Sequence, residues 1–406
     1  MQEETASYQS SPLFHSYYVR DKVGRITQKL ETYAGLTIST EYAYDVAGRL
    51  IEVKQNGSVI ETYQYDANGN RLNNNAVYDA QDRLLQYASN TYTYTQNGEL
   101  LTKNTTTFNY DVLGNLRQVQ LPGKTIDYVI DARNRRVGKK VNGIFTQGFL
   151  YQGSLKPVAE LNDAGQIVAR FVYGSKSNIP DYILKNGNTY RVISDHLGSP
   201  RFIVDIQTGA VVQRMEFDAF GNVALDTNPG FQPFGFAGGL YDLDTKLVRF
   251  GARDYDAEVG RWTSKDPILF EGGDTNLFGY VADDPVNFID PEGLAGGRGE
   301  RGATGGSSGQ GTNNKYKHCW QDKEDPNFIW CRDHQTGKKE HKRKPPDFDK
   351  VKGQEKQEKM EICDSECQLG LLFGIGGGYL MYRCARLLPS LAPPLWWTLP
   401  GNLATP

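Results

Sequence analysis

The sequence has 406 residues and contains no cysteine before position 319. Five cysteines fall in the last quarter of the chain, at Cys319, Cys331, Cys363, Cys367 and Cys384. The first three quarters therefore have no disulfide framework and no cysteine metal site, and their stability has to come from a buried core.

Long apolar runs are also missing. Met1 to Tyr18 is polar and aromatic, unlike a secretory signal peptide, so we expect export to need another route or an upstream region. Leu369 to Tyr382 is apolar over 14 residues, whereas about 20 are needed to span a bilayer. A buried helix or hairpin of the tail, and a hairpin inserted in a membrane, both remain open for this stretch.

The chain lacks a basic excess, since its net charge is -3. This argues against nucleic-acid binding by the chain as a whole. From Gly297 onward the chain has 17 Lys and Arg and 13 Asp and Glu, while the preceding part is acidic. The sequence of Gly296–Gln310, GGRGERGATGGSSGQ, is typical of a flexible linker. We therefore expect the chain to change character near residue 296.

A tyrosine–aspartate unit is what the sequence has in abundance. Each copy begins with an aromatic residue, which is usually followed by Asp. A few small or polar residues come next, then a basic or polar residue and an apolar one. Clear copies begin at Tyr44, Tyr65 and Tyr110, looser ones at Tyr78, Tyr94 and Tyr128, and an outlier at Phe217. The composition of the unit has a physical reason, because Asp with Gly or Asn favours a tight turn between two strands.

This repetition predicts an all-β fold of antiparallel hairpins over residues 25 to 175, approximately. A single hairpin cannot bury its apolar face, so neighbouring hairpins have to stack into a continuous sheet. Two-residue turns are predicted at five Asn-Gly pairs, which begin at Asn56, Asn68, Asn97, Asn142 and Asn186.

More specific motifs follow the repeats. They are DHLGSPRFIVD at Asp195–Asp205, EFDAFGNV at Glu216–Val223, FGARDYDAEVGRW at Phe250–Trp262, and DPILFEGGDTNLFGYVADDPVNFIDPEGL at Asp266–Leu294. With the repeats, they resemble the Rhs (YD-repeat) family, specifically its repeat-associated core, which is shared with Tc-toxin C components and the YD shells of teneurins. The resemblance extends over residues 20–295.

The resemblance implies a spiralling β-sheet rolled into a hollow shell, with the core segment plugging one end and a variable cargo, commonly a toxin, after it. We expect these parts: an N-terminal segment 1–24, a YD-repeat shell 25–190, a repeat-associated core 191–294, a Gly/Ser-rich linker 295–314, and a small mixed C-terminal domain 315–406, the candidate toxin. Family shells have many more repeats, so we expect a partial shell, from a truncated or degenerate member or a cassette for recombination.

Self-cleavage is a further implication of the resemblance. Family members that are processed cut their chain after the DPxGL motif with paired aspartates. On matching positions the pair is Asp266 and Asp290, and the scissile bond is Leu294-Ala295. Two carboxylates in close contact share a proton, so that one deprotonates water while the other protonates the carbonyl.

Other residues complete or compete for this site. Lys265 or Arg261 is expected to hold the developing negative charge. Asp274, Asp283 and Asp284 are nearby competitors for the second carboxylate. Two other interpretations stay open, namely Asp-Pro pairs that only cap turns, and a degraded, inactive site.

Charged and nucleophilic residues elsewhere in the core are expected to be structural. Arg253, Asp254 and Arg261 are expected to pair inside the plug. His196 and Ser199 look like part of a catalytic triad, but the family repeats this string as a turn, and no orienting group accompanies them.

The tail has mixed Cys and His residues whose spacing matches no standard zinc finger. Disulfides, a metal site and free thiols all remain open for it. The basic run Lys338–Lys344 favours either phosphate binding, as in a small nuclease toxin, or a solvated surface. Asp333, His334 and His341 are its candidate functional residues.

These observations favour a C-terminal part of an Rhs-type polymorphic toxin. In this hypothesis a secreted or surface-delivered β-shell holds its own C-terminal segment as cargo and frees it by self-cleavage during competition between bacteria. It implies an immunity protein and a secretion apparatus as partners, no cofactor, and no nucleic acid bound to the shell. A non-enzymatic module that binds carbohydrate or protein through aromatic strand faces, or an inactive remnant, is the alternative.

Overall fold

A computed structural model describes residues 3–294 and four short strands beyond them, within 297–343. The described residues form β-strands and short 3-10 helices, and they contain no α-helix. The all-β fold expected from the sequence is therefore confirmed. The chain divides into two units, Met1–Gly305 and Gly306–Pro406.

The first sheet is a six-stranded antiparallel meander, in which each strand pairs with the next one along the chain. Its strands are β1 (Glu3–Tyr8), β2 (Ser11–Arg20), β3 (Ile26–Tyr33), β4 (Leu36–Tyr44), β5 (Leu50–Gln55) and β6 (Ser58–Thr62). The expected domain boundary at residue 24 falls in the turn between β2 and β3, which pair with each other. The N-terminal segment thus begins the sheet.

The second sheet continues the same meander over sixteen strands. They are β7 (Val77–Tyr78), β8 (Leu84–Tyr87), β9 (Asn90–Tyr94), β10 (Leu100–Lys103), β11 (Thr106–Tyr110), β12 (Leu116–Leu121), β13 (Lys124–Ile130), β14 (Arg136–Val141), β15 (Ile144–Gln152), β16 (Lys156–Leu161), β17 (Ile167–Val172), β18 (Tyr182–Lys185), β19 (Asn188–Ser194), β20 (Pro200–Asp205), β21 (Val211–Phe217) and β22 (Val223–Asp226). The expected boundary at residue 190 falls inside β19.

Residues 227–294, which we name the core segment, follow the second sheet. Four strands of this segment form a small antiparallel sheet, and a fifth pairs with a strand beyond it. These strands are β23 (Leu240–Tyr241), β24 (Leu247–Phe250), β25 (Arg253–Asp256), β26 (Arg261–Trp262), β27 (Phe288–Ile289) and its partner β28 (Gly297–Arg298). The described residues also include the 3-10 helices Asn73–Asn75, Phe236–Gly238, Leu269–Gly272 and Val281–Asp283.

The second unit contains three described strands, which form one antiparallel sheet in chain order. They are β29 (Cys319–Gln321), β30 (Phe328–Arg332) and β31 (Lys339–Arg343). The remaining residues of the expected linker and C-terminal domain lie outside the described part of the chain.

The aspartate of the repeated unit closes the turn at the end of a hairpin. At Asp45, Oδ1 accepts hydrogen bonds from the N–H groups of Ala47 and Arg49, both at 2.9 Å. Oδ2 accepts a third bond from Nε of Arg49 at 2.7 Å. Gly48 has a φ of +93°, which glycine adopts without strain. An aspartate that bonds the backbone two residues ahead is a strong turn former, which explains the spacing of the unit.

The tyrosine of the unit connects successive turns. The Tyr65 hydroxyl donates to the carbonyl oxygen of Leu50 at 2.7 Å. Its ring covers the guanidinium of Arg49, with 4.8 Å between the guanidinium carbon and the ring centroid. Tyr44 repeats both contacts one unit earlier, with Ile26 and Arg25. The tyrosine of each unit thus contacts residues of the turn that precedes it along the chain. These contacts stack the units in order along the sheet.

Several units differ from the sequence pattern. Asp21 and Asn162 anchor turns of the same kind, although no tyrosine precedes them. The looser copy assigned to Tyr128 has its turn at Asp131. The Tyr128 hydroxyl instead donates to Oδ2 of Asp242 in the core segment at 2.9 Å. The pattern finds turns where an aromatic residue is followed by Asp, and also the turn at Thr95 after Tyr94, but it misses turns whose anchoring residue has no aromatic directly before it.

Three of the five Asn-Gly pairs are confirmed as two-residue hairpin turns with positive φ at both positions, and they begin at Asn56, Asn142 and Asn186. The prediction is wrong for the pairs that begin at Asn68 and Asn97. There only the glycine has a positive φ, because each pair lies inside a longer turn closed by a side chain upstream.

Replacement of Asp45 by Ala is expected to lower the free energy of unfolding by about 1–2 kcal/mol, because two backbone N–H groups lose their acceptor. Urea denaturation of the full chain measures this. Asp163→Ala is the matched control, since Asp163 lies in a turn where Asn162 accepts the backbone bonds instead. The control is expected to change stability by no more than about 0.5 kcal/mol. Equal losses in the two variants would contradict the anchoring role.

The sheets curve around the core segment, which contacts the turns and adjoining strand ends of successive hairpins through its side chains and, at Thr263, through its backbone carbonyl. These contacts join Asn276 to Asn70 (2.9 Å), Thr263 to Leu100 (2.8 Å), Arg249 to Asn115 (2.8 Å) and Asp254 to Arg136 (2.8 Å). Adjacent residues of the segment contact both the first sheet and the second. Asn287 Oδ1 accepts the N–H of Ile26 at 2.8 Å, and the Val286 carbonyl is 2.7 Å from Nε2 of His196.

The first sheet packs against the end of the second sheet through side chains. The ring centroid of Phe202 is 5.1 Å from that of Phe14 and 4.6 Å from that of Tyr33. Arg201 forms an ion pair with Glu31 across the same contact. Within the described residues β1, β6, β7 and β22 end their sheets without a further partner. The structure therefore confirms a partial, open shell around the core segment.

Candidate self-cleavage site

Two aspartates from separate parts of the core segment converge on one guanidinium group. Arg253 begins β25, Asp266 follows β26, and Asp290 follows β27. Nη2 of Arg253 is 2.8 Å from Oδ2 of Asp266 and 3.3 Å from Oδ2 of Asp290. The three residues are 3%, 6% and 2% exposed, respectively. The structure thus brings together the two aspartates that the sequence paired, with an arginine bonded to both.

Each of these aspartates also shapes a turn. Oδ1 of Asp266 accepts the N–H of Ile268 at 2.9 Å, and Oδ1 of Asp290 accepts the N–H of Leu294 at 3.1 Å. In both residues one carboxylate oxygen caps the backbone while the other contacts Arg253. The two Asp-Pro pairs therefore cap turns and also hold a buried charge.

Leu294, the expected residue before the scissile bond, lies against both aspartates. Its N–H is bonded to Asp290. Its carbonyl oxygen and Oδ2 of Asp266 lie 2.8 Å and 2.9 Å from the point where Gly272 would carry a Cβ. One carboxylate thus orients the amide of this residue, and the other lies near its carbonyl. Ala295 is outside the described residues.

Glycines make this close approach feasible. A side chain on Gly272 would meet both the Leu294 carbonyl and the Asp266 carboxylate at under 3.0 Å. Gly293 has a φ of +67°, and a Cβ there would lie 2.5 Å from the carbonyl oxygen of Phe250. The Gly293 carbonyl accepts a bond from Nε of Arg253 at 2.6 Å. The glycine of the DPEGL sequence is therefore required by packing and by its backbone conformation.

A cavity of about 200 Å³ adjoins Leu294, and its wall includes Arg253, Asp266 and Asp290. One water molecule takes about 30 Å³, so the cavity has room for several. Burial raises the pKa of Asp266 above its ordinary value; the charge of Arg253 opposes this shift and that of Asp290 adds to it. A raised pKa favours the protonated carboxyl, which can donate a hydrogen bond to a carbonyl oxygen.

Neither cation that the sequence assigned to charge stabilisation lies between the two aspartates. Arg261 donates to the carbonyl oxygen of Asp82 and stacks on Tyr78, with 4.9 Å between its guanidinium carbon and the ring centroid. The side chain of Lys265 lies beside Gly98, where its Cδ is 3.4 Å from the Cβ position. Both residues connect the core segment to the hairpins.

Arg253, and not Lys265 or Arg261, is the cation in contact with both aspartates. From the sequence, Arg253, Asp254 and Arg261 are expected to pair inside the plug. This is confirmed for Arg253 and Asp254, which form buried ion pairs. The role of Arg253 beside the aspartates was missed. Strand alternation was the available signal, because Arg253 and Asp254 are neighbours in β25 and so face opposite sides.

The competing aspartates occupy other positions. Asp274 lines the same cavity, and its Oδ1 accepts the N–H of Asn276 at 2.9 Å. Asp283 lies beside Gly69; its burial, and then the charge of Asp274, raise its pKa to about 8. Asp284 accepts a bond from Nδ2 of Asn287 at 2.8 Å. In the described part of the chain, the ion pairs of Arg253 are to Asp266 and Asp290 alone.

His196 and Ser199 have structural partners. Oδ1 of Asp195 accepts the N–H groups of Leu197 and Ser199, as in the repeat turns. The Ser199 hydroxyl accepts the N–H of Ala237 at 3.0 Å. The turn interpretation of this string is confirmed.

Two family models match the chain. The model described as the teneurin YD-shell matches residues 1–286, which is more than half of the chain. The chain belongs to the YD-shell family. A second model, described as a toxin with a conserved tryptophan and TIP tripeptide motif, matches residues 332–406. The YD-shell chain therefore carries a C-terminal toxin extension.

Known relatives of this YD-shell chain are much longer. Teneurin-3 of Mus musculus is 31% identical over an alignment of 291 residues that covers 66% of this chain and 11% of that protein. Double-stranded DNA deaminase toxin A of Burkholderia cenocepacia (strain H111) is 29% identical over an alignment of 316 residues that covers 66% of this chain and 22% of that protein. The chain thus spans less than a quarter of either relative.

Among solved structures, the crystal structure of TcdB2-TccC3-TEV is similar to the chain, with a TM-score of 0.44 and 16% identity. The similarity covers 72% of this chain and 19% of that one.

The toxin match points to residues that are not among the candidates expected from the sequence. The tryptophans between residues 332 and 406 are Trp396 and Trp397. Thr398-Leu399-Pro400 follows them directly and differs from the named tripeptide by Leu in place of Ile. The signal was present in the sequence, as the Pro- and Trp-rich end of the chain.

The earlier tail candidates are only partly within the described residues. His341 lies in β31, opposite Trp330 of β30. Asp333 and His334 lie outside the described residues, and so does the apolar stretch Leu369–Tyr382. The described part of the chain has no helix long and apolar enough to cross a membrane. It has no group of three or more His, Cys, Asp or Glu side chains that could hold a metal ion.

Proposed function

We propose that this chain is the C-terminal part of an Rhs-type toxin, which holds its C-terminal extension and frees it by cutting the Leu294-Ala295 bond. The observation that carries the proposal is the convergence of Asp266, Asp290 and Leu294 around Arg253. The toxin match over residues 332–406 supplies the cargo, which begins downstream of the proposed cut.

The proposed reaction is hydrolysis of the peptide bond by water from the adjoining cavity. Asp266, whose raised pKa favours the protonated form, donates its proton to the Leu294 carbonyl oxygen. Asp290 takes a proton from the water as its oxygen attacks the carbonyl carbon. As the C–N bond breaks, Asp290 gives the proton it took from water to the departing nitrogen of Ala295, and a hydroxyl of the tetrahedral intermediate returns a proton to Asp266. Division of acid and base roles between two carboxylates in different surroundings is a known solution at neutral pH.

Because Arg253 contacts both aspartates, the site differs from the simplest arrangement, in which two carboxylates face each other and share a proton. The Arg253 guanidinium bonds both Oδ2 atoms and compensates one buried negative charge. Its Nε holds the Gly293 carbonyl, which fixes the peptide just before the scissile residue. We assign Arg253 to positioning of the two aspartates and of the substrate peptide.

The biological role is interbacterial competition, with delivery of the chain outside the producing cell and an immunity protein protecting that cell. It is supported by the toxin match and by the similarity to a bacterial deaminase toxin.

Expression of the full chain in a bacterial host without its immunity partner is expected to stop growth, since the extension is the toxin. The measurement is the count of viable cells after induction. The matched control is the same gene with a stop codon after Leu294, which keeps the shell and core segment and is expected to leave growth unchanged. Equal growth of the two strains would contradict the toxin function and favour a binding module or an inactive remnant.

A further inference from the structure

Two cysteines occupy directly opposite positions in the three-stranded sheet of the second unit. In the antiparallel pairing of β29 with β30, Cys319 is opposite Cys331. Residues opposite each other in such a pair have Cα atoms about 4.5 or 5.5 Å apart, depending on the hydrogen-bonding position. Disulfides join Cα atoms about 4.4–6.8 Å apart. Either position in the ladder therefore satisfies the distance that a disulfide requires.

We propose that Cys319 and Cys331 form a cross-strand disulfide when the chain is in an oxidising environment. The oxidant is a low-molecular-weight disulfide. Each cysteine thiol loses its proton, the two sulfur atoms of the cysteines become bonded, and the oxidant is reduced to two thiols by the two electrons and two protons released.

The position of the disulfide in the sheet indicates its effect on stability. β29 is three residues long and lies at the edge of its sheet, where β30 is its partner. A short edge strand of this kind has few backbone bonds to hold it, and small sheets are marginally stable in water. The disulfide ties this strand to the central strand and removes conformations from the unfolded state. The stability of the sheet then depends on the redox state of its surroundings.

The test is a disulfide map of the full chain after incubation with glutathione disulfide. Trypsin places the two cysteines on separate peptides, His318–Lys323 and Glu324–Arg332, because Lys and Arg flank them. After alkylation of free thiols and digestion without reductant, mass spectrometry is expected to find these peptides joined, with a mass two hydrogens below their sum. Addition of a reductant is expected to remove the joined species.

Two variants make the result specific. Cys384→Ser is expected to keep the joined peptides, and Cys331→Ser is expected to abolish them and leave Cys319 alkylated. Three results would overturn the proposal: a bond from Cys319 to Cys363, Cys367 or Cys384, alkylation of Cys319 and Cys331 after the oxidation, or bound zinc that protects both thiols. The map does not depend on cleavage or toxicity, so it stands or fails independently of the proposed function.

Discussion

Asp290→Asn is expected to leave the chain uncut, so that a denaturing gel shows one band of full length. The wild-type chain is expected to give two fragments, and the smaller one should begin at Ala295. The substitution removes the base that takes a proton from water. It also replaces a carboxylate oxygen beside the Arg253 guanidinium with a group that cannot compensate its charge. Loss of a general base lowers rates by about 10²–10⁴-fold, enough to abolish cleavage during expression.

The measurement is a time course of cleavage in a cell-free translation reaction, followed by mass determination of the fragments. Asp274→Asn is the matched control. This aspartate lines the same cavity and was a competitor for the same role, yet it caps the N–H of Asn276 instead of contacting Arg253. The control is expected to cleave at the wild-type rate. Unchanged cleavage in Asp290→Asn, or equal loss in both variants, would refute the assignment.

The pH dependence of the same reaction follows from Asp266. Its pKa is raised in the folded chain, mainly by burial, so it keeps its proton to higher pH than an exposed aspartate. Because the proposed acid must be protonated, cleavage is expected to slow as the pH rises through this pKa. Asp266→Asn is expected to cut no faster than Asp290→Asn at any pH.

The repeated turns could be predicted from the sequence because their cause is local. Asp45, Gly48 and Arg49 lie within five positions, and they make the bonds that define the turn among themselves. The unit fails as a predictor at Asp21 and Asn162, where no aromatic residue directly precedes the residue that makes the same bonds. An all-β meander follows directly from such units, since each turn joins a strand to its neighbour.

The candidate site was predictable in part. Asp266 and Asp290 were named from the resemblance to processed family members, and the structure brings them together. The cations named for charge stabilisation are not the one that the structure brings to the two aspartates, which is Arg253. Arg261 and Lys265 lie near Asp266 in the chain, but they contact the hairpins at Tyr78 and Gly98. Only the folding of β25 beside the DPEGL turn shows which cation reaches both carboxylates.

The alternation of β25 connects the site to the shell. Arg253 contacts the two aspartates on one side of the strand, while its neighbour Asp254 contacts the second sheet on the other side. Oδ1 of Asp254 accepts from Arg136 of β14 at 2.8 Å, and Oδ2 accepts from Arg249 of β24 at 2.9 Å. The Asp254 side chain is 1% exposed. One face of β25 carries Arg253 of the site, and the other face carries Asp254, which contacts the shell. The geometry of the site therefore depends on the contact between β25 and the shell.

Asp254→Ala is therefore expected to lower the free energy of unfolding by about 3–5 kcal/mol, the cost of leaving buried charges without their partner. Two arginines lose their carboxylate at once, and burial already lowers the pKa of Arg249. Urea denaturation of the full chain, in an Asp290→Asn background that prevents cleavage, measures the loss. We expect cleavage in the otherwise wild-type chain to slow as well, since β25 would lose its attachment to β14.

Glu258→Ala is the matched control for this prediction. Glu258 is another carboxylate of the core segment that contacts the second sheet, where it pairs with Lys103 at 2.6 Å. Its side chain is 49% exposed, and Lys103 keeps a second partner in Asp256. An exposed pair of this kind contributes at most about 1 kcal/mol. Similar losses for the two variants would mean that burial of Asp254 adds nothing, and that β25 is held by its aromatic contacts instead.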